Sequence, residues 1–459
     1  MKALDLGSGR VFSTVCKLVF PAMIAQFINV LYSVVDRIYV GNIRGIGDTA
    51  LAAVGVCAPV ATLISSFAFL IGTGGAPLFA MALGEKKKGR AQKILINALL
   101  SLLVLSLAVT ALVFVLERPL LYTFGASDRT YPYAREYLLI YAAGSLFSIT
   151  AVGLNQYVIA QGYSATGMAT TLVGAAANIA LDPLFIFVLH MDVAGAALAT
   201  VLSQVLSFAF VLLFLLRKST NIRLRLGKPH FPIIAKILRL GISPFLIMAT
   251  DSVIIILSNA LLKQYGGADA DKWITVSTVV QAFFQLLTMP LLGISTGSQP
   301  VLSYNYGARQ EQNIRRAEKY ILLLCIGYTV LMALLSLFLA APFVSLFTKT
   351  PDIAQKSVWG IRIFMTGAVP LAFQYAFVDG LTALGQPQYA IFLSLTRKLV
   401  IFLGCILLLP LFWGVQAIFY AEPVADISSA LLSSALFAIV FPRILKKRMA
   451  GGQNSPAER

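Results

Sequence analysis

The chain has 459 residues, of which 58% are hydrophobic and 12% charged, with a mean hydropathy of +0.84. Soluble chains carry about a quarter charged residues, so this composition leaves too little polar surface for a water-soluble body and excludes that class. The net charge of +17 invites nucleic acid as a partner. However, the basic residues fall in short clusters between apolar runs, which is a signal of membrane topology, not of nucleic-acid binding.

The first apolar run, Val15 to Val40, is longer than the hydrophobic part of a signal peptide. No small-residue cleavage site precedes a mature domain, so the run reads as span 1. It holds Pro21 and, near its outer end, Ser33-Val34-Val35-Asp36-Arg37. An ionisable residue at the centre of a span costs at least about 2.5–3.5 kcal/mol, which makes Asp36 a functional lead. Two readings are open for it: an interfacial carboxylate paired with Arg37, or a carboxylate facing the bundle interior and exchanging a cation.

Gly72-Thr73-Gly74-Gly75 looks like a phosphate-cradling loop only on the surface. It lies in an apolar run and lacks the Lys-Ser/Thr ending, so close helix packing is the better account. Gly74-x-x-Pro77 leads to Gly84, and Lys86, Lys87, Lys88, Arg90 and Lys93 follow. Leu95 to Leu116 then supplies the roughly 20 apolar residues that a span needs. Asn155, in a later span, reads by itself as an interhelical hydrogen-bonding residue. Asn178 and Asp182 are four apart and share a helix face. Pro183 follows them, removing a backbone donor and freeing carbonyl groups. Asp, Asn and carbonyl oxygens form a hard-ligand set suited to Na⁺, or to a proton held on the carboxylate. The competing reading is an Asp capping a broken helix. Thr200, in the span Ala194 to Leu216, has the same unremarkable reading as Asn155.

A basic, proline-containing linker over 218–234 separates a first lobe, 1–217, from a second, 235–445, and a tail over 446–459 follows. In the second lobe Asp251, Gln281, Gln285 and Asp379 fall in spans 7, 8 and 10. They would give a substrate cavity both hydrogen-bonding groups and negative charge, suited to amphipathic cations. Arg309, Arg315, Arg316 and Lys319 precede the span Tyr320 to Leu339. Arg397 and Lys398 in span 11, and Glu422 and Asp426 in span 12, read as structural ion pairs.

The two lobes are repeats of one another. Pro21 and Pro244, Pro77 and Pro300, and Gly84 and Gly307 are each 223 residues apart. Gln156-Tyr157-x-x-x-Gln161-Gly162-x-x-x-x-Gly167 recurs 218 residues later as Gln374-Tyr375-x-x-x-Asp379-Gly380-x-x-x-x-Gly385. The basic clusters occupy alternate connections, which places both termini in the cytoplasm and requires an even number of spans. The expected fold is therefore all-α and integral to the membrane, about twelve helices in two pseudo-symmetric six-helix bundles related by a parallel repeat. Enzyme chemistry has no foothold. His190 and His230 are the only histidines, and no H-E-x-x-H, P-loop or G-x-S-x-G occurs. The four cysteines include no C-x-x-C, so neither a disulfide framework, a zinc site nor any other cofactor is expected.

Several of these strings resemble the multidrug and toxic compound extrusion (MATE) family. They are Pro21 with Val34-Val35-Asp36-Arg37, Gly-x-x-Pro with Leu83-Gly84, Asn178 to Ile186 with its Asn-x-x-x-Asp-Pro core, and Gly297-x-Gln299-Pro300 with Tyr306-Gly307. The resemblance covers nearly the whole chain. It implies two six-helix lobes, a V-shaped cavity, and export driven by inward H⁺ or Na⁺. It also implies that Asp36, Asn155, Asn178, Asp182 and Thr200 form a first-lobe cation site, with Na⁺ held at Asp36, Asn178 and Asp182. The expected function is a secondary exporter of amphipathic, mostly cationic drugs, working as a monomer in the plasma (inner) membrane without nucleic acid or cofactor. The alternative is a flippase for a lipid-linked oligosaccharide or other lipid precursor.

Overall fold

In lipid no water is available to bond a free N–H or C=O, so each spanning segment must satisfy its backbone internally. The computed structural model, which describes residues 3–225, 227–348 and 350–450, accordingly holds helices and no strands among those residues. The part of the expected tail from residue 451 onward lies outside the described residues. The first repeat supplies α1 (Val11–Gly41), α2 (Gly47–Gly84), α3 (Lys88–Thr123), α4 (Tyr131–Ala160), α5 (Ser164–Pro183) and α6 (Asp192–Leu216). The second supplies α7 (Phe231–Gly266), α8 (Ala270–Gly307), α9 (Glu311–Ser345), α10 (Pro351–Met365), α11 (Ala368–Ala383), α12 (Pro387–Leu395), α13 (Leu403–Trp413) and α14 (Ala421–Ala450). Among the described residues, eleven segments are long and apolar enough to cross a bilayer, and α10 with α11, bent by 46° at their junction, makes a twelfth if the pair is counted as one span. The expected all-α membrane fold is what the chain adopts.

Both repeats carry a π-helical segment in the same span. Leu184–Val188 continues α5 past Pro183, and Thr396–Phe402 joins α12 to α13. Pro183 has no N–H to give the carbonyl of Ile179, and the chain then winds wider, with Leu189 N–H donating to the Leu184 carbonyl at 2.9 Å.

The chain divides into two compact units, Met1–Asp5 with Phe20–Ser252 and Leu6–Val19 with Val253–Arg459. The leading helix of each repeat changes unit along its length: α1 passes from the second to the first just before Pro21, and α7 passes from the first to the second after Ser252. In the first unit α4 is central, packing on α2, α3 and α6, while α5 lies on α6. Glycines set the distances. A β-carbon on Gly72 would sit 2.9 Å from the Cα of Gly153 on α4, and one on Gly74 would sit 2.6 Å from the nitrogen of Gly241 on α7. The Gly72–Gly75 run is thus a helix-packing surface, as expected. Val104, Leu107, Leu112 and Val115 of α3 are exposed, forming an apolar outer face fit for lipid. In the second unit α11 plays the part of α4, packing on α8, α9 and α14.

Candidate functional site

Within the first unit, three helices bring polar groups to one place. Asn178 and Asp182 stand one turn apart on α5 and are 2% and 0% exposed. Asn178 Nδ2 donates to Asp182 Oδ1 at 3.2 Å and to Thr200 Oγ1 of α6 at 3.5 Å. From α1, Asp36 lies within side-chain hydrogen-bonding reach of Asp182. Two carboxylates this close repel unless a proton or a small cation lies between them. Asp36 Oδ1, Asp182 Oδ2 and Asn178 Oδ1 are all buried, and none has a hydrogen-bond partner among the described residues. Buried polar atoms normally do have partners. Three such oxygens converging from α1 and α5 are an acceptor set for a hard cation or a proton.

Arg37 does not close this site. It is exposed, and no ion pair joins it to Asp36 among the described residues. Asp36 turns to Asp182 instead. Tyr32 and Tyr137 lie within electrostatic reach of Asp36, and Tyr141 adjoins both of them, the Tyr137 and Tyr141 rings stacking at 6.2 Å and 9°. Sequence reasoning missed these tyrosines, which are three of 17 scattered through apolar spans. The usable signal was the spacing of four between Tyr137 and Tyr141. Asn155 is placed differently: its Nδ2 donates to the Gly167 carbonyl at 3.2 Å, tying α4 to α5.

The four second-lobe residues expected to line a cavity do not gather. Asp251 lies in the part of α7 that belongs to the first unit. On α8, Gln281 Nε2 donates to Ser277 Oγ at 3.3 Å and Gln285 is exposed. Asp379, near the end of α11, faces Ser295 and Gln299 of α8. At about 1.5 Å per residue, Ser295 lies roughly 15 Å along α8 from Gln285.

Asp379 has a neighbour that sequence reasoning did not single out. Glu318 of α9 is within its electrostatic reach and only 5% exposed, and neither of its carboxylate oxygens has a hydrogen-bond partner among the described residues. It packs against Gly380, where a β-carbon would stand 2.9 Å from either oxygen. The repeat carried the signal. The 223-residue offset sets Glu318 against Leu95, which is fully buried in the first unit. A carboxylate therefore occupies what is a core position in the sister repeat.

Of the expected structural pairing between spans 11 and 12, the part made by Arg397 is present. Arg397 Nε donates to Asp426 Oδ1 at 3.0 Å, and its Nη2 donates to Asp426 Oδ1 at 2.7 Å and Glu422 Oε1 at 2.8 Å. All three residues are buried.

The MatE family model matches residues 21–184 and 245–407, one segment in each repeat. The multidrug export protein MepA of Staphylococcus haemolyticus is 25% identical over 425 residues, covering 92% of both chains. MepA of Staphylococcus aureus is 23% identical over 437 residues, covering 95% of both. Among solved structures, a MOP superfamily transporter from Pyrococcus furiosus superposes with a TM-score of 0.90 at 24% identity, covering 97% of this chain and 99% of that one. An outward-facing multidrug resistance MATE family transporter gives 0.89 at 24% identity with the same coverage.

Proposed function

This chain belongs to the MATE family of multidrug efflux transporters, and from that premise we propose that it exports amphipathic, mostly cationic compounds in exchange for inward H⁺ or Na⁺. The observation that carries this reading is the Asp36–Asp182 carboxylate pair with Asn178 and Thr200, buried in the first unit and holding no base of its own. A cation arriving there relieves the repulsion between the carboxylates and takes up the three oxygens that lack donors. Its binding draws α1 toward α5, and Pro21 gives α1 a place to bend. Cation entry and substrate release are thereby coupled to alternating access. The export role is supported by the multidrug export named for the MepA relatives.

The proposal places the protein in the bacterial inner membrane with both termini in the cytoplasm, on the strength of the alternating basic connections. The flippase reading is weaker because a lipid phosphate needs a free base inside the membrane. Arg397 is buried and already bonded to Glu422 and Asp426.

The test is efflux of a fluorescent cationic dye from proteoliposomes, with Na⁺ and pH gradients imposed separately. One gradient is expected to drive uphill movement, and Asp36→Asn to slow it at least about tenfold. Absence of gradient-driven movement across several dyes, or a wild-type rate in Asp36→Asn, overturns the reading.

A further inference from the structure

The linker between the repeats is stitched onto the first unit. Ile222 and Leu224 are buried. The Ile222 N–H donates to Gln161 Oε1 at 2.9 Å, and Asn221 Nδ2 donates to the Gln161 carbonyl at 3.2 Å. The Leu224 N–H donates to the Leu215 carbonyl at 2.8 Å, and the His230 N–H to Asn97 Oδ1 at 2.6 Å. The last of these bonds holds the linker against the start of α3, while the others tie it to the ends of α4 and α6. Between linker and helix stands a cavity of about 340 Å³, lined by Gln92, Lys93 and Ile96 of α3 and by Arg225, Lys228 and His230 of the linker.

The chemistry of this cavity is one-sided. Lys93, Arg225 and Lys228 bring three positive charges, and no acidic side chain lines the cavity. A surplus of bases on the inner side of a membrane protein is ordinary, and Lys86 and Lys88 also pair with no acid among the described residues, so the discriminating fact is that these three bases line one cavity together. Lys87 and Arg90, of the same connection, both pair with Glu85, and Arg315, in the equivalent connection of the second repeat, pairs with Glu311. Among the described residues, Lys93, Arg225 and Lys228 pair with no acid. Gln92 adds a buried Nε2 that has no acceptor among the described residues. Ile96, buried, lies at the start of the apolar run Leu95 to Leu116 of α3, so the cavity adjoins the end of a spanning segment, where head groups are expected.

We propose that this cavity binds a phosphate group, and that its source is the phosphodiester of an anionic lipid head group. The oxyanion is held by Lys93, Arg225 and Lys228, with Gln92 Nε2 as a neutral donor, and the bound lipid pins the linker to α3. Basic pockets between spanning helices recognise head groups in this way. The proposal does not depend on which ion or drug the protein carries.

The test follows the thermal unfolding midpoint of the full chain in detergent as short-chain phosphatidylglycerol, short-chain phosphatidylcholine or inorganic phosphate is added. Phosphatidylglycerol is expected to raise the midpoint saturably and phosphatidylcholine to leave it unchanged. Lys93→Gln/Arg225→Gln/Lys228→Gln should move half-saturation at least about tenfold higher. Lys86→Gln/Lys87→Gln/Arg90→Gln, on the same connection but outside the cavity, should stay within about twofold of wild type. Equal loss in both triple variants, or no loss in the first, overturns the site. A saturable shift with inorganic phosphate that the first variant abolishes overturns the lipid source and assigns a free anion. Should the first variant not fold, Lys228→Gln alone is read against Lys228→Arg, which must retain binding. Equal behaviour of that pair overturns the proposal.

Discussion

Asn178 has two amide hydrogens, and both are directed at neighbours in the first-unit cluster. Asn178→Ala would leave Asp182 Oδ1 buried without its donor, a loss of about 1–3 kcal/mol. Thr200→Val removes only the longer 3.5 Å contact and should cost under about 1 kcal/mol. Thermal unfolding of the purified variants separates the two, and equal losses would mean that the amide does not organise the cluster. Arg397 poses the opposite case, a base already neutralised. Arg397→Met would strand two buried carboxylates at a cost of about 3–5 kcal/mol, whereas neutralising all three groups together should recover most of the loss. If the single and triple variants unfold alike, the triad is not an ionic unit.

Among elements, the crossing of α2 with α7 inside the first unit is governed by small residues. A β-carbon added to Gly241 would run into the Leu70 carbonyl, and one on Gly74 would meet the Gly241 backbone. Gly241→Ala is therefore expected to destabilise by about 1–3 kcal/mol through forced separation of the helices. Gly327 and Gly404 have nothing within 4 Å of the same position. Alanine there should be neutral or stabilising by up to about 1 kcal/mol, since helix propensity is then the only effect. Unfolding midpoints that fail to rank the three variants this way would refute packing as the reason for the glycines. These crossings were readable in advance because Gly72–Gly75 stands in an apolar run without phosphate-binding residues. Asp36, Asn178 and Asp182 were readable for a similar reason: charge or amide where hydrocarbon is expected. Glu318 was not, because Arg315, Arg316 and Lys319 beside it make it look like part of a solvated helix end. The break between α10 and α11 was equally hidden. Its marks are Pro370 in the first turn of α11 and Gly367, where the Asp426 carboxylate packs so closely that a β-carbon would lie 2.9 Å from Oδ2.

For the molecule as a whole, topology is a matter of parity. On the proposed topology, with α10 and α11 counted as one span, twelve crossings would return the chain to the side on which it started, and six in each repeat would bring the linker to that side as well. The basic connections at Lys86–Lys93, at the linker and at Arg309–Lys319 would then share one face with both termini, which the positive-inside rule predicts to be the cytoplasmic face. The connections at Asp128, His190 and Trp413 would lie on the other face. Trp413 is well placed as a probe, being 72% exposed at the end of α13. Single cysteines at Lys86, Lys218, Arg309, Asp128, His190 and Trp413, introduced with Cys16, Cys57, Cys325 and Cys405 replaced by serine, can be labelled in intact cells with an impermeant maleimide. Asp128→Cys, His190→Cys and Trp413→Cys are expected to react from outside, and the other three only after permeabilisation. Much depends on Trp413, because it follows the bent α10–α11 pair. If Trp413→Cys reacts only after permeabilisation while His190→Cys reacts from outside, α10 and α11 do not together make one crossing. The second repeat would then hold an odd number of spans, and the parallel relation between the repeats would fail with it.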